Sequence, residues 1–358
     1  MARGIGAVEA IQSALPDWLS VVFALLTQLG DIWFLACLLA VLYWFNVPDQ
    51  DDVATLAGVW IAGMGLYKGL KSVFGFPRPD RPLLEADLLP WVVRPLYEAT
   101  AFATGYGFPS GHAVNTTIVY VGLAYLLSVG TPRRRFGVAG VLVATVSFTR
   151  VALGLHYLID VLAGVAVGVT LLCGAGLLIR WMPNNRTTVP LGLGVGFAGF
   201  FFRASDADPD AIFLLGAALG AFAGWQFVVL GRELVAISRP SVALRPLALR
   251  GGLATIALAP VVAALEVFPF LSVYSVGGVV GLLATGIVVV PVLRYSERAR
   301  RVGVAVTFWL RMAVVGTRYL CRPSTWRRAG RLVRRYSVKT GRWLRSRWRR
   351  ARSNSDNE

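Results

Sequence analysis

The 358-residue sequence predicts an all-α polytopic membrane protein, and three observations carry that reading. Hydrophobic residues make up 56% of the chain and charged residues only 15%, against about 25% charged in a typical soluble domain. Mean hydropathy is +0.62, and apolar runs of about 18 residues recur, each able to cross a hydrocarbon core roughly 30 Å thick. The charge is segregated: residues 294–358 hold 19 basic and 3 acidic residues, while the rest of the chain carries 17 basic and 16 acidic. The pI near 10.7 therefore describes a tail and not the body. Three cysteines without paired spacing, Cys37, Cys173 and Cys321, exclude a disulfide scaffold, and no ligand-spaced Cys/His cluster suggests structural zinc. Of 36 basic residues 33 are arginine, a bias that points to a GC-rich, prokaryotic genome.

Taken in order, Met1–Leu15 lacks the layout of a cleavable signal, and Ala7–Leu29 reads as a short interfacial helix broken at Pro16. Spans are expected near 31–46, 53–75, 111–129, 136–153 and 157–180, the first ending at the anchor pair Tyr43-Trp44. Four more follow near 189–203, 211–230, 250–267 and 270–293, making nine. The expected organisation is a core at 1–182, additional spans at 189–293 and a basic tail at 294–358. Loop Lys/Arg counts orient the chain. Arg133-Arg134-Arg135, Arg180 with Arg186, and Arg232, Arg239 and Arg245 fall on the side of the tail. The C-terminus is thus expected in the cytoplasm, and loops 76–110 and 150–157 outside, in a cell membrane. The acidic run Asp49-Gln50-Asp51-Asp52, placed inside, fits that scheme worst.

Ionisable groups near spans are costly and usually functional. Here they gather as Lys71 with Arg78-Pro79, as Pro109-Ser110-Gly111-His112, and as Thr149-Arg150 with His156 and Asp160. Three cations without matching acids suit a phosphate: arginine binds it bidentately and lysine adds a compact charge. Ser110 and Gly111 open a helix, where free N–H groups favour an anion. His156 and Asp160 are four residues apart, on one helical face. A carboxylate on one ring nitrogen fixes the tautomer and leaves the other nitrogen as acceptor or nucleophile. His112, at the other entrance of the cradle, is placed to protonate a leaving oxygen.

Lys71-x6-Arg78-Pro79, Pro109-Ser110-Gly111-His112 and Arg150-x5-His156-x3-Asp160 resemble the three signature motifs of the type-2 phosphatidic-acid phosphatase (lipid phosphate phosphatase) superfamily, over roughly residues 20–180. The resemblance implies a phosphatidic-acid-phosphatase-type helical bundle, here with four additional transmembrane helices. It implies His156 as nucleophile, Asp160 as its orienting group and His112 as general acid. Lys71, Arg78, Ser110, Gly111 and Arg150 would bind the phosphoryl group. Thr149 stands where the family usually has serine, keeping the hydroxyl of that contact. The expected reaction is hydrolysis of a lipid phosphate or diphosphate, such as a polyprenyl diphosphate, through a phosphohistidine, with no cofactor and no metal. A lipid phosphotransferase using the same intermediate, or a non-enzymatic lipid-phosphate-binding protein, are the competing readings. A soluble vanadium haloperoxidase shares the anion pocket, but the spans argue against it.

Plainer readings apply elsewhere. A lone histidine in a span is more often structural, but two in register with a cation cluster favour function. Lys68 reads as a snorkelling span end. Asp80, Arg81, Arg94 and Glu98 read as a solvated loop, as do Asp206, Asp208 and Asp210, which lack the glycine and glutamate of a calcium loop. Gly192, Gly194, Gly196 and Gly199 read as helix-packing positions. Residues 302–320 read as an interfacial amphipathic helix. Beyond it, arginines interleaved with Trp326, Trp343 and Trp348 are expected to bind anionic lipid headgroups and no specific nucleic acid.

Overall fold

The computed structural model describes residues 6–295, apart from 17, 80–81, 85–86, 88–93, 102 and 237–242. The expectations for the tail, and for Asp80, Arg81 and Arg239, lie outside the described residues.

Local sequence sets most helix boundaries. Helix α1 (Ala7–Ser13) and α2 (Leu19–Thr27) flank Pro16, and a short 3-10 turn, Gln28–Gly30, leads to Asp31 and α3 (Ile32–Phe45). Asn46 ends α3 in the left-handed region at φ 57°, a conformation asparagine tolerates better than most residues. Asp49 caps α4 (Gln50–Phe74) by accepting from the Asp51 amide, and Gly75 ends it at φ 62°. After α5 (Arg94–Ala101), the third span is built in pieces. These are α6 (Gly111–Thr116), a π-type turn at Thr117–Val121, and α7 (Gly122–Leu126). Thr131 caps α8 (Pro132–Ala152), which has proline in its first turn, where no amide donor is needed. The Asp160 side chain accepts from the Tyr157 amide at the start of α9 (Leu158–Trp181).

Beyond Pro183–Asn185 come α10 (Thr188–Ala204) and α11 (Pro209–Ala236). The short α12 (Leu244–Pro246) runs through a π-type turn into α13 (Gly252–Val267), and α14 (Val273–Tyr295) follows. Six stretches are long and apolar enough to cross a membrane. Leu19–Gly30 and Ile32–Phe45, bent by 45°, together make a seventh. The expected count of nine is reached only by adding two shorter pieces. Thr188–Ala204 has 17 residues, and the interrupted third span covers 111–126. At 1.5 Å per residue these reach only about 24–26 Å.

Met1–Tyr295 form one compact unit, so the expected core and the additional spans pack as a single body. Helix α10 lies along α4, and α11 lies along α14. Small residues permit both contacts. A Cβ at Gly58 would stand 2.7 Å from the Leu191 amide nitrogen, and one at Gly216 or Gly220 would strike the backbone of Gly277 or Gly281. Of the four glycines expected to pack helices, Gly194 does so, with a built Cβ 3.0 Å from Ile61, whereas Gly196 and Gly199 face open space. The main core runs through Leu35, Trp60, Tyr67, Ile118, Val119 and Trp225.

The spans alternate in direction, so two ends of the bundle collect different loops. The end opposite the histidines holds the acidic run that fitted the topology worst. Asp51 takes both Arg232 guanidinium nitrogens, at 2.8 and 2.9 Å, and Asp52 lies 2.9 Å from Arg186. The run is thus neutralised by the arginines expected on its own side.

Candidate active site

Four segments converge on a cavity of about 490 Å³ at the other end of the bundle. Lys71 reaches it from the last turn of α4, and Arg78 from the loop that Gly75 begins. Gly111 and His112 bring the first turn of α6, Arg150 the last turn of α8, and His156 the loop before α9. The three sequence motifs, separated by up to 85 positions between Lys71 and His156, therefore share one wall.

Close backbone approach explains the glycines. A Cβ on Gly111 would lie 2.5 Å from the Tyr67 ring, and one on Gly164 would lie 2.6 Å from the Ser110 carbonyl oxygen. These contacts press α6 against α4 and α9. The Ser110 amide donates to the Asp160 carbonyl at 2.9 Å, tying the second motif to the third.

His156 is 1% exposed and Asp160 0%. The Asp160 Oδ2 atom stands 3.6 Å from His156 Nδ1. On the other side of the ring, Arg78 Nη1 stands 3.2 Å from Nε2 and also donates to the Leu155 carbonyl at 2.9 Å. A guanidinium has no acceptor. Nε2 must therefore present its lone pair to Arg78, which puts the ring proton on Nδ1, towards Asp160. Burial, then the charges of Lys71, Arg150 and Arg78, hold the His156 imidazole well below its ordinary value of 6.5. The ring is neutral at pH 7. Burial also lowers Arg78 from its ordinary value, opposed by Asp160.

The phosphate-binding set divides into two layers. Lys71, Arg78, Gly111 and Arg150 line the cavity, whereas Ser110 and Thr149 are fully buried behind its wall. Ser110 Oγ and Arg150 Nε find no partner among the described residues, so both keep hydrogen-bonding capacity for an anion. Thr149 differs from the expectation. Its hydroxyl donates to the Val146 carbonyl at 2.7 Å, so the helix already uses the proton that a phosphate contact would need.

Sequence reasoning missed the segment between α2 and α3. Asp31 Oδ1 stands 3.3 Å from His112 Nε2, and Thr27 Oγ1 accepts from Arg150 Nη1 at 3.3 Å. Gly30 sits between them, where a Cβ would lie 3.0 Å from the His112 ring. Two further expectations need correction. Asp208 and Asp210 line the cavity, and Asp210 binds Lys68 at 2.6 Å, so they are more than a solvated loop and Lys68 is not a free span end. The helix of α11 begins at Pro209 and aims Asp210 back across the cavity mouth. Arg94 opens α5, with Glu98 on the same helix, so neither lies in a loop as expected, and Arg94 pairs with Asp87 at 3.2 Å. Among the described residues no group of three or more His, Cys, Asp or Glu side chains is spaced to hold a metal ion.

Comparison with known proteins places this geometry. Residues 52–187 match the model of the PAP2 superfamily. The chain is 36% identical over 124 residues to the phosphatidylglycerophosphatase B of Bacillus subtilis (strain 168), covering 31% of this chain and 59% of that protein. It is 28% identical over 177 residues to the lipid phosphate phosphatase delta of Arabidopsis thaliana, covering 47% and 40%. The chain thus spans about half the length of these curated relatives. A crystal structure described as the first transmembrane PAP2 type phosphatidylglycerolphosphate phosphatase from Bacillus subtilis aligns at a TM-score of 0.39, with 27% identity, over 50% of this chain and 86% of that one. The matched segment contains all three motifs and every histidine of the chain, so residues 52–187 carry the likeness to the PAP2 superfamily.

Proposed function

We propose that the protein is a membrane-embedded lipid phosphate or diphosphate phosphatase that works through a phosphohistidine at the extracytoplasmic face, without a metal ion. The observation that carries this reading is the His156 ring. It is neutral and buried, it lines the cavity with an unprotonated Nε2 whose lone pair Arg78 occupies until a phosphate displaces that contact, and Asp160 backs its protonated nitrogen.

The residues divide the work in two steps. Lys71, Arg78 and Arg150 draw in the phosphoryl group and oppose the charge that builds on its equatorial oxygens. His156 Nε2 attacks phosphorus, and the bond from phosphorus to the lipid oxygen breaks. His112 gives that oxygen a proton. The donor form of His112 is the imidazolium, and Asp31, 3.3 Å from Nε2, opposes its positive charge. As the P–N bond forms, positive charge spreads over the His156 ring, and Asp160 opposes it. In the second step His112 takes a proton from water, the water oxygen attacks phosphorus, the P–N bond breaks, and inorganic phosphate leaves. Both histidines return to their starting states.

The distribution of arginines supports that side of the membrane. The catalytic cavity lies at the end away from Arg186 and Arg232, and loops rich in arginine stay in the cytoplasm. The arginine-rich tail has the composition to bind anionic headgroups. The relatives' names, phosphatidylglycerophosphatase and lipid phosphate phosphatase, agree with a lipid substrate.

The test is phosphate release by purified protein across a panel of lipid phosphates and diphosphates, with and without EDTA. Turnover that EDTA leaves unchanged is expected. Loss of all turnover in EDTA, restored by Mg²⁺, would contradict the metal-free step.

A further inference from the structure

A second cavity, of about 390 Å³, lies between the core helices and the additional ones. Its lining is almost wholly apolar and follows one face of each helix. On α4 the positions are Val53, Ala57, Trp60, Met64 and Lys68, spaced three or four apart. On α3 they are Ile32, Ala36, Leu39 and Tyr43, and on α11 Asp210, Leu214, Ala217 and Ala221. Helix α14 adds Ile287 and Val288.

This cavity adjoins the catalytic one. Lys68 and Asp210 line both, and their 2.6 Å ion pair marks the junction. From that polar rim the α4 stripe runs 15 residues to Val53, about 22 Å at 1.5 Å per residue. One leaflet provides only about 15 Å, half of a hydrocarbon core roughly 30 Å thick. Near the far end the Tyr43 hydroxyl donates to the Val288 carbonyl at 2.8 Å, joining α3 to α14. Along the side, Ile32 and Ile287 are exposed, at 40% and 44%, while the Trp44 indole donates to the Ile287 carbonyl at 3.1 Å and ties α3 to α14 at the far end.

We propose that this slot holds the hydrocarbon chain of the substrate while its phosphate sits against His156. The inference rests on the phosphatase reading and deepens it: the substrate is a lipid with a long apolar chain, selected by helices α11 and α14, which lie outside the matched segment 52–187. The occupant follows from the shared boundary. A ligand that reaches from the cationic cavity past Lys68 needs an anionic head joined to a largely apolar chain, because the lining beyond Lys68 and Asp210 is apolar apart from the Trp60 indole and the Tyr43 hydroxyl. Lys68 suits the head at the junction, and Asp210 balances its charge when no substrate is present.

The test fills the slot of the full-length protein in mixed micelles with Ala217→Phe, and separately with Ala57→Phe. Two substrates are compared, a long-chain lipid phosphate and the water-soluble para-nitrophenyl phosphate. The ratio of kcat/KM for the long-chain lipid over the soluble ester is expected to fall on the order of ten-fold or more, chiefly through KM. A parallel fall on both substrates, or an unchanged ratio, would overturn the slot. A lipid phosphate with a photoactivatable chain supplies the second measurement. It is expected to crosslink to α11, and Ala217→Phe to suppress that crosslink. Crosslinking spread over the outer surface, insensitive to Ala217→Phe, would mean that ordinary bilayer lipid is being read, and would overturn it. Wild-type protein that releases no phosphate from either ester would sink the phosphatase reading alone, and the crosslink would still decide the slot.

Discussion

Arg78 decides the chemistry of His156 because it can only donate. With Nε2 held as acceptor and Nδ1 facing Asp160, the proposed nucleophile needs no base to deprotonate it. Burial first, and then the cations proposed to bind phosphate, keep the ring unprotonated. This has a pH consequence. The folded value of His156 lies below its ordinary 6.5, so between the two the folded state binds fewer protons than the unfolded one. The stability this group contributes is complete above about pH 6.5 and is lost as pH falls towards the folded value. The chain has only two histidines, so nitrogen-labelled histidine resolves both by NMR. At about pH 6, where an unperturbed histidine is mostly charged, His156 is expected to remain the neutral Nδ1–H tautomer. A midpoint at or above 6.5 would contradict the burial argument. Residues with fixed spacing, from Lys71 to Asp160, were legible in sequence because each motif is a local string. Asp31 and Thr27 were not: they are isolated polar residues at a helix bend, and only folding brings them to His112 and Arg150.

Glycines set how closely the elements approach. Where α11 meets α14, Gly216 and Gly220 face the backbone of Gly277 and Gly281. Membrane helices associate without a hydrophobic drive between them, so such close contact supplies the attraction. Gly220→Val places a branched side chain against a neighbouring backbone that cannot give way. It is expected to destabilise the protein by about 1–3 kcal/mol, read as a lower Tm in detergent, whereas Gly199→Val, in open space, is expected to leave Tm nearly unchanged. Equal Tm values for the two would contradict this packing. Span positions were legible from apolar run length to within a few residues. The 45° bend before α3 and the π-type turn inside the third span were not, because hydropathy records what is buried and not how the backbone curves. The role of Asp208 and Asp210 was hidden likewise: three alternating aspartates look solvated until α11 turns two of them towards the cavity.

The described bundle is polarised. Cationic and imidazole groups of the cavity gather at one end, and the arginine loops and their carboxylate partners at the other. If arginine retention orients the bundle, the two ends answer differently to a membrane-impermeant thiol reagent. With the native cysteines replaced, Tyr106→Cys at the cavity mouth is expected to label in intact cells. Asn184→Cys, in the loop between α9 and α10, is expected to label only after permeabilisation. The reverse pattern would put the active site in the cytoplasm, and labelling of both from one side would break the alternation of spans.

The central claim is that His156 carries the phosphoryl group, and trapping that intermediate tests it most directly. Purified protein is mixed with a radiolabelled lipid phosphate, quenched within one turnover and separated under alkaline conditions, where a P–N bond survives and a phosphoserine ester does not. Wild-type protein is expected to retain label that acid releases. His112→Ala is expected to accumulate it more slowly, by roughly the 10²–10⁴-fold that a general acid contributes, and His156→Ala is expected to retain none. Label that persists in His156→Ala, or that alkali removes from the wild type, would contradict the account.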